Sequence, residues 1–187
     1  MGIESASTLS SDLSAEAFHQ RPAPEECAPF YHGYIGRVPD GDVRRTLERL
    51  GEELATLLEN LGEERAGDRY APGKWTVAQV VGHVNDTERV FSHRIVWFAR
   101  RDPAPLPGID QDPWVEAGEF EGRSLAALVA ELRAIRASTR ALVQSLTPQM
   151  LERRGVASDA PCTVRALVWI LAGHAEHHRR IVEERYL

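Results

Sequence analysis

Cysteine is nearly missing from this sequence: Cys27 and Cys162 are the two among 187 residues. They are too few for a disulfide framework, and their spacing matches no thiolate metal motif. Long apolar runs are missing too. Arg or Glu interrupts every candidate before it reaches the ~20 residues that a membrane span needs. Basic residues are not in excess: 22 Lys and Arg face 28 Asp and Glu, giving a net charge of −6. That balance removes the electrostatic reason to expect a nucleic-acid partner. The opening residues, MGIESASTLSSDLSAEAF, have neither the basic start nor the apolar block of a secretory signal. Ala6 stands where a myristoylation signal needs Ser or Thr. These absences lead to the expectation of a cytoplasmic protein with a small-molecule partner, no nucleic acid and no membrane. No stretch reads as a strong β-strand, and no internal repeat is visible.

What is present is helical periodicity. With 43% hydrophobic and 27% charged residues, the chain can bury one sizeable core. Residues 1–30, rich in Ser, Ala, Glu and Pro, read as an N-terminal extension that is weakly ordered or packed on the rest, with a short helix near Leu13–His19. Residues 31–41, with three glycines and a proline, read as a loop. A first helix follows from about Asp42 to Gly62, with Val43, Leu47, Leu50, Leu54, Leu57 and Leu61 on one stripe. A second runs from Thr76 to Arg100, where Thr76 and Gln79 form a capping box. Residues 101–123 carry four prolines and three glycines and read as a long loop. The third helix spans Ser124 to Leu146, with Thr147-Pro148 ending it. After a linker ending at Pro161, the fourth begins near Thr163. Each helix has an apolar face and an opposite face rich in Arg and Glu. The expected fold is all-α, a four-helix bundle over residues 31–187.

The fourth helix carries the chemistry. Its stripe is Val164, Leu167, Leu171, His174, His178 and Ile181, so two histidines one turn apart occupy core positions. Residues i and i+4 are neighbours on a helix, with Cβ atoms roughly 5–6 Å apart. His177 falls to the side, on a flank with Ile170, Gly173, Arg180 and Glu184. The second helix has Val80, His83 or Val84, Thr87, Val90 or Phe91, and Arg94 facing inward. Buried imidazoles must satisfy two ring nitrogens each. A divalent metal meets that need: neutral imidazoles bind zinc at roughly 2.0–2.1 Å, and three protein ligands leave room for water or substrate. The residues alone leave two readings, a three-histidine metal site at one end of the core or hydrogen-bonded core histidines.

The segments YAPGKWTVAQVVGHVNDTERVF (70–91), LPGIDQDPW (106–114), TVRALVWILAGHAEHHRRI (163–181) and YIGRVPDGD (34–42) together resemble the DinB-like superfamily. This is a group of four-helix bundles that includes YfiT-like metal-dependent hydrolases and bacterial thiol transferases. The resemblance covers residues 31–187 in the right order. It implies one divalent ion, nickel or zinc first and iron, cobalt or manganese also fitting, held by His83, His174 and His178. It further implies thiol transfer, with a low-molecular-weight thiol cosubstrate, or metal-assisted hydrolysis. The alternative is a stress-associated bundle that binds metal or dimerises without turnover.

Other residues carry secondary expectations. Asp86, Glu176 and His177 are candidates to support an imidazole N–H, and Glu88 also follows His83 closely; Asp86 is the best placed, though a solvated helix charge is its first reading. His93 lies ~15 Å further along the second helix, too far to share the metal. Trp75 and Trp169 read as core. Trp114, Asp110 and Asp112 sit in the long loop, a potential rim or lid. Cys162 lies at a helix start, where the dipole favours a thiolate, but ~18 Å along the helix from His174 it reads as an inert small residue; Cys27 shows no role. Trp97 and Phe98 are left over on an outer face, pointing to a homodimer or to packing under the N-terminal segment.

Overall fold

In the computed structural model, which describes residues 16–187, four polar side chains set where the long helices start. Asp42 accepts from the Arg44 N–H and starts the helix Val43–Leu61. Thr76 and Gln79 form the expected capping box before Val77–Ala99. Ser124 caps Leu125–Gln144 and Thr163 caps Val164–Arg185. Each cap satisfies a backbone donor that the first turn leaves without a partner. Three short helices, His32–Ile35, Gln111–Ala117 and Pro148–Leu151, join them among the described residues. In chain order the helices are α1 (His32–Ile35), α2 (Val43–Leu61), α3 (Val77–Ala99), α4 (Gln111–Ala117), α5 (Leu125–Gln144), α6 (Pro148–Leu151) and α7 (Val164–Arg185).

The four long helices form the expected bundle. Both α2 and α3 pack against α5 and α7, so the consecutive helices α2 and α3 lie diagonally across it. Two apolar clusters fill the interior. One holds Val43, Leu47, Phe91, Ile95, Phe98 and the first half of α7. The other holds Leu54, Leu58, Val80, Val84, Leu128, Leu132 and Val182. Between them lies a buried polar layer that includes His83, Glu88, Arg136, His174 and His178. The histidines therefore stand at mid-height of the bundle, not at one end of the core.

Three segments differ from the sequence expectation. The linker before α7 contains a hairpin, β1 (Arg154–Ala157) paired antiparallel with β2 (Ala160–Thr163). Ser158 and Asp159 both adopt positive φ, 54° and 60°, the backbone that a two-residue hairpin turn requires. Phe98 packs against Gly155, where a Cβ atom would come within 2.1 Å of its ring. Phe98 is fully buried, so it is not left over on an outer face, whereas Trp97 is half-buried and donates to the Ala104 carbonyl at 3.0 Å. Within 101–123, α4 starts at the Asp110 cap and Phe120 is buried in a 3-10 turn. Residues 31–41 likewise contain α1 rather than loop alone.

Residues 16–30 pack on the bundle. Phe18 is buried under the Arg44 guanidinium, 4.2 Å from its ring centroid. Arg21 lies 4.7 Å over the Trp169 ring and donates to the Ile35 and Val38 carbonyls at 2.6 and 2.7 Å. Glu26 is buried, accepting from Thr163 Oγ1 at 2.7 Å and Arg165 at 3.3 Å. Together with α1 and the hairpin, this cover leaves Val164 to Glu176 buried on every side and not along one face. Of the short helix expected near Leu13–His19, residues 13–15 lie outside the described residues; Glu16 is helical and residues 17–19 form a turn. Among the described residues no helix is long and apolar enough to cross a membrane.

Candidate metal centre

His83 projects from α3, and His174 and His178 from successive turns of α7. The i, i+4 spacing puts the α7 rings 4.5 Å apart, centroid to centroid. The α3–α7 packing brings the His83 ring to 5.1 Å from His174 and 4.9 Å from His178. One ring nitrogen from each lies within 4.8 Å of the others, and all three residues are buried. Among the described residues no carboxylate or thiolate joins this group.

The protonation of the cluster follows from burial. Desolvation pushes His83 down to about 4, with His177 adding a smaller effect. His174 and His178 are pushed well below the usual imidazole range, by burial first and by the neighbouring histidines second. All three rings are thus neutral at pH 7, the form that binds a metal. The Nε2 atoms of His83 and His174 face each other at 3.1 Å, so only one of them can carry a proton. The buried Nδ1 of His178 has no hydrogen-bond partner among the described residues. Converging lone pairs and an orphaned buried nitrogen fit a divalent cation better than a self-sufficient hydrogen-bonded trio.

Aromatic groups frame the cluster. The Tyr34 ring lies 5.6 Å from His174 and 5.3 Å from His177, edge to face. Gly173 makes this approach feasible: a Cβ atom there would sit 2.0 Å from the Tyr34 carbonyl oxygen. Trp75 lies 4.8 Å from His83 and is half-buried at the cavity wall, not in the core as expected; Trp169 is in the core.

Two cavities adjoin the histidines. One, of ≈430 Å³, is reached by His83 and His174 and runs along Thr87 and Phe91 to Arg94. The other, of ≈470 Å³, is reached by His177 and His178 and bounded by Trp75 and Tyr186. Phe30, Tyr34 and Gln111 border both. The 101–123 segment does form a rim, through Asp110 and Asp112, whereas Trp114 lines a separate groove with His93.

Neither carboxylate candidate hydrogen-bonds an imidazole. Asp86 pairs with Arg89 at 3.3 Å and makes no hydrogen bond to His83. Burial raises its carboxyl against the opposing pull of Arg89. Glu176 points to Arg179 and Arg180, at 2.8 and 2.6 Å, and not to an imidazole. Burial opposes ionisation there, but the hydrogen bonds from the two arginines win and hold its carboxyl low. His177 is half-buried, with its ring 4.9 Å from His178, and burial lowers its pKa. Glu88 is buried in an ion pair with Arg136 at 2.7 Å. The Cys162 thiol is pushed up to about 12, mainly by burial, so the helix dipole does not yield a thiolate. Tyr34 and Gln111 were invisible as site residues in the sequence, because loop composition carries no signal of which cavity a side chain will border.

A profile of the DinB superfamily matches residues 46–182. A provisionally named metal-dependent hydrolase from Geobacillus kaustophilus is 27% identical over 133 residues, covering 69% of this chain and 74% of its own length. YfiT from Bacillus subtilis, also provisionally named a metal-dependent hydrolase, is 23% identical over 136 residues, covering 72% and 76%. The solved YfiT structure, described as a four-helix bundle of unusual topology, superposes with a TM-score of 0.70 at 20% identity, covering 92% of this chain and 95% of that one. With most of its length matched, this chain belongs to the DinB superfamily.

Proposed function

We propose that this protein is a metal-dependent enzyme whose His83, His174 and His178 together hold one divalent ion. The observation that carries the reading is the convergence of three buried, neutral imidazoles with one orphaned nitrogen. An all-imidazole set suits zinc, nickel, iron and cobalt alike; the resemblance to the superfamily puts nickel and zinc first, with iron, cobalt and manganese after them. Such an ion supplies Lewis acidity, which activates a water for hydrolysis or holds a thiol as its thiolate.

The chain's own residues do the rest. The three imidazoles fix the reacting centre beside both cavities, and Tyr34 and Trp75 wall it with aromatic surface. His177, neutral and half-buried beside His178, is placed to pass a proton between the site and solvent. Hydrolysis is the first reading, in keeping with the names of the relatives. Thiol transfer is the second, favoured by the two cavities that meet the histidines from different sides and could hold a thiol and an electrophile.

The test is to load the protein with zinc, nickel, cobalt or manganese. Each form is assayed on 4-nitrophenyl acetate for hydrolysis, and on 1-chloro-2,4-dinitrobenzene with added thiols for transfer. Turnover that requires the metal and is lost in His178→Ala supports the proposal and shows which reaction is run. Turnover that survives chelation contradicts a metal-dependent reaction, and no turnover with any metal favours the non-catalytic alternative.

A further inference from the structure

Three arginines are buried among the described residues: Arg94, Arg136 and Arg165. Arg136 is paired with Glu88 at 2.7 Å and Arg165 with Glu26 at 3.3 Å. Arg94, only 3% exposed, meets no carboxylate among the described residues. Its Nη2 donates to the Pro107 carbonyl and to Ser158 Oγ, both at 3.0 Å, and its guanidinium lies 5.1 Å from the Phe91 ring centroid. These partners are neutral. A guanidinium has five N–H donors and stays charged at any working pH. Nε and Nη1 therefore keep donors with no protein partner among the described residues.

Arg94 also lines the ≈430 Å³ cavity that His83 and His174 border. His83, Thr87, Phe91 and Arg94 follow the 4-4-3 spacing of one ridge of α3, so the histidine and the arginine serve the same cavity from opposite ends. The rise between their backbones is ~16 Å, and side chains lean toward the helix N-terminus, which tilts Arg94 toward the histidines. A buried cation without a counter-ion is costly, and an oxyanion is the complement its remaining donors fit.

We infer that this cavity binds a substrate bearing a carboxylate or phosphate group, with Arg94 as the recognition residue for that oxyanion. The inference takes the cavity as the substrate site of the proposed enzyme, but the recognition itself needs no metal. Asp110, exposed at the rim and engaged as the cap of α4, sets a limit: its charge opposes the anion and tunes affinity down.

The test uses the full chain and matched small probes, 4-phenylbutyrate and its neutral amide, with phenyl phosphate as a third arm. Binding is measured by calorimetry, once in EDTA and once with zinc added. The expected result is acid binding roughly tenfold tighter than amide in both conditions. Arg94→Gln erases the difference, Arg94→Lys retains part of it, and Asp110→Asn enlarges it. The phosphate arm shows which oxyanion is preferred. A preference that persists in EDTA stands even if the protein proves to hold no metal. Equal binding of acid and amide, no binding of any probe, or an unchanged preference in Arg94→Gln overturns the inference. If Arg94→Gln does not fold, as a melting curve will show, the Arg94→Lys and Asp110→Asn comparisons decide.

Discussion

The imidazoles make the protein's stability depend on pH in a definite direction. His83 titrates near 6.5 when unfolded and at about 4 when folded. Between those values the unfolded chain binds more protons, so stability falls as pH drops. The contribution is intact above pH ~6.5 and lost by pH ~4, roughly 3 kcal/mol from His83 alone. His174 and His178 act in the same direction. Metal-free protein is expected to melt progressively lower from pH 7 to pH 4, followed by circular dichroism. A flat profile over that range contradicts neutral buried rings. The α7 pair was legible in the sequence because i, i+4 histidines interrupted an aliphatic stripe. On α3 the pattern could not choose between His83 and Val84, and both are in fact buried, because α3 is covered on more than one face. Asp86 and Glu176 do not reach an imidazole, for a local reason. Arginines three or four positions away compete for the carboxylates, and periodicity does not say which partner wins.

The contacts between elements yield two further predictions. Gly173→Ala places a methyl group against the Tyr34 backbone and must push α1 off α7. The expected loss is about 1–3 kcal/mol in urea denaturation. Because Tyr34 frames His174 and His177, metal affinity should fall as well. At the Glu88–Arg136 pair, Arg136 also donates to the Leu47 carbonyl, tying α5 to both α3 and α2. Arg136→Met strands a buried carboxylate and is expected to cost about 3–5 kcal/mol. Adding Glu88→Leu should recover most of it, a coupling that a double-mutant cycle on denaturation midpoints will measure. The long helices were readable to within a residue or two, since Asp42, Thr76, Ser124 and Thr163 combine a cap with a following apolar period. The hairpin was not. Its two strands are four residues each, contain Gly155 and Pro161, and owe their pairing to Phe98 and the 104–108 segment packed upon them.

For the whole molecule, the N-terminal segment is part of the packing. A chain beginning at residue 31 loses Phe18, and Glu26 no longer neutralises the buried Arg165. It should melt lower than the full chain by differential scanning fluorimetry; an unchanged melting temperature means residues 16–30 contribute nothing. This cover was only half legible, because a Ser- and Pro-rich composition conceals one or two anchoring side chains. The three-histidine centre sits in the polar layer between two apolar clusters, so its account governs both stability and function. The most direct test is elemental analysis of the purified, tag-free protein beside the His83→Ala, His174→Ala double variant. The account predicts about one first-row divalent metal per chain in the wild type and none in the variant. No metal in either, with a melting temperature unmoved by added zinc or nickel, would mean that the histidines are structural and the enzyme reading is wrong.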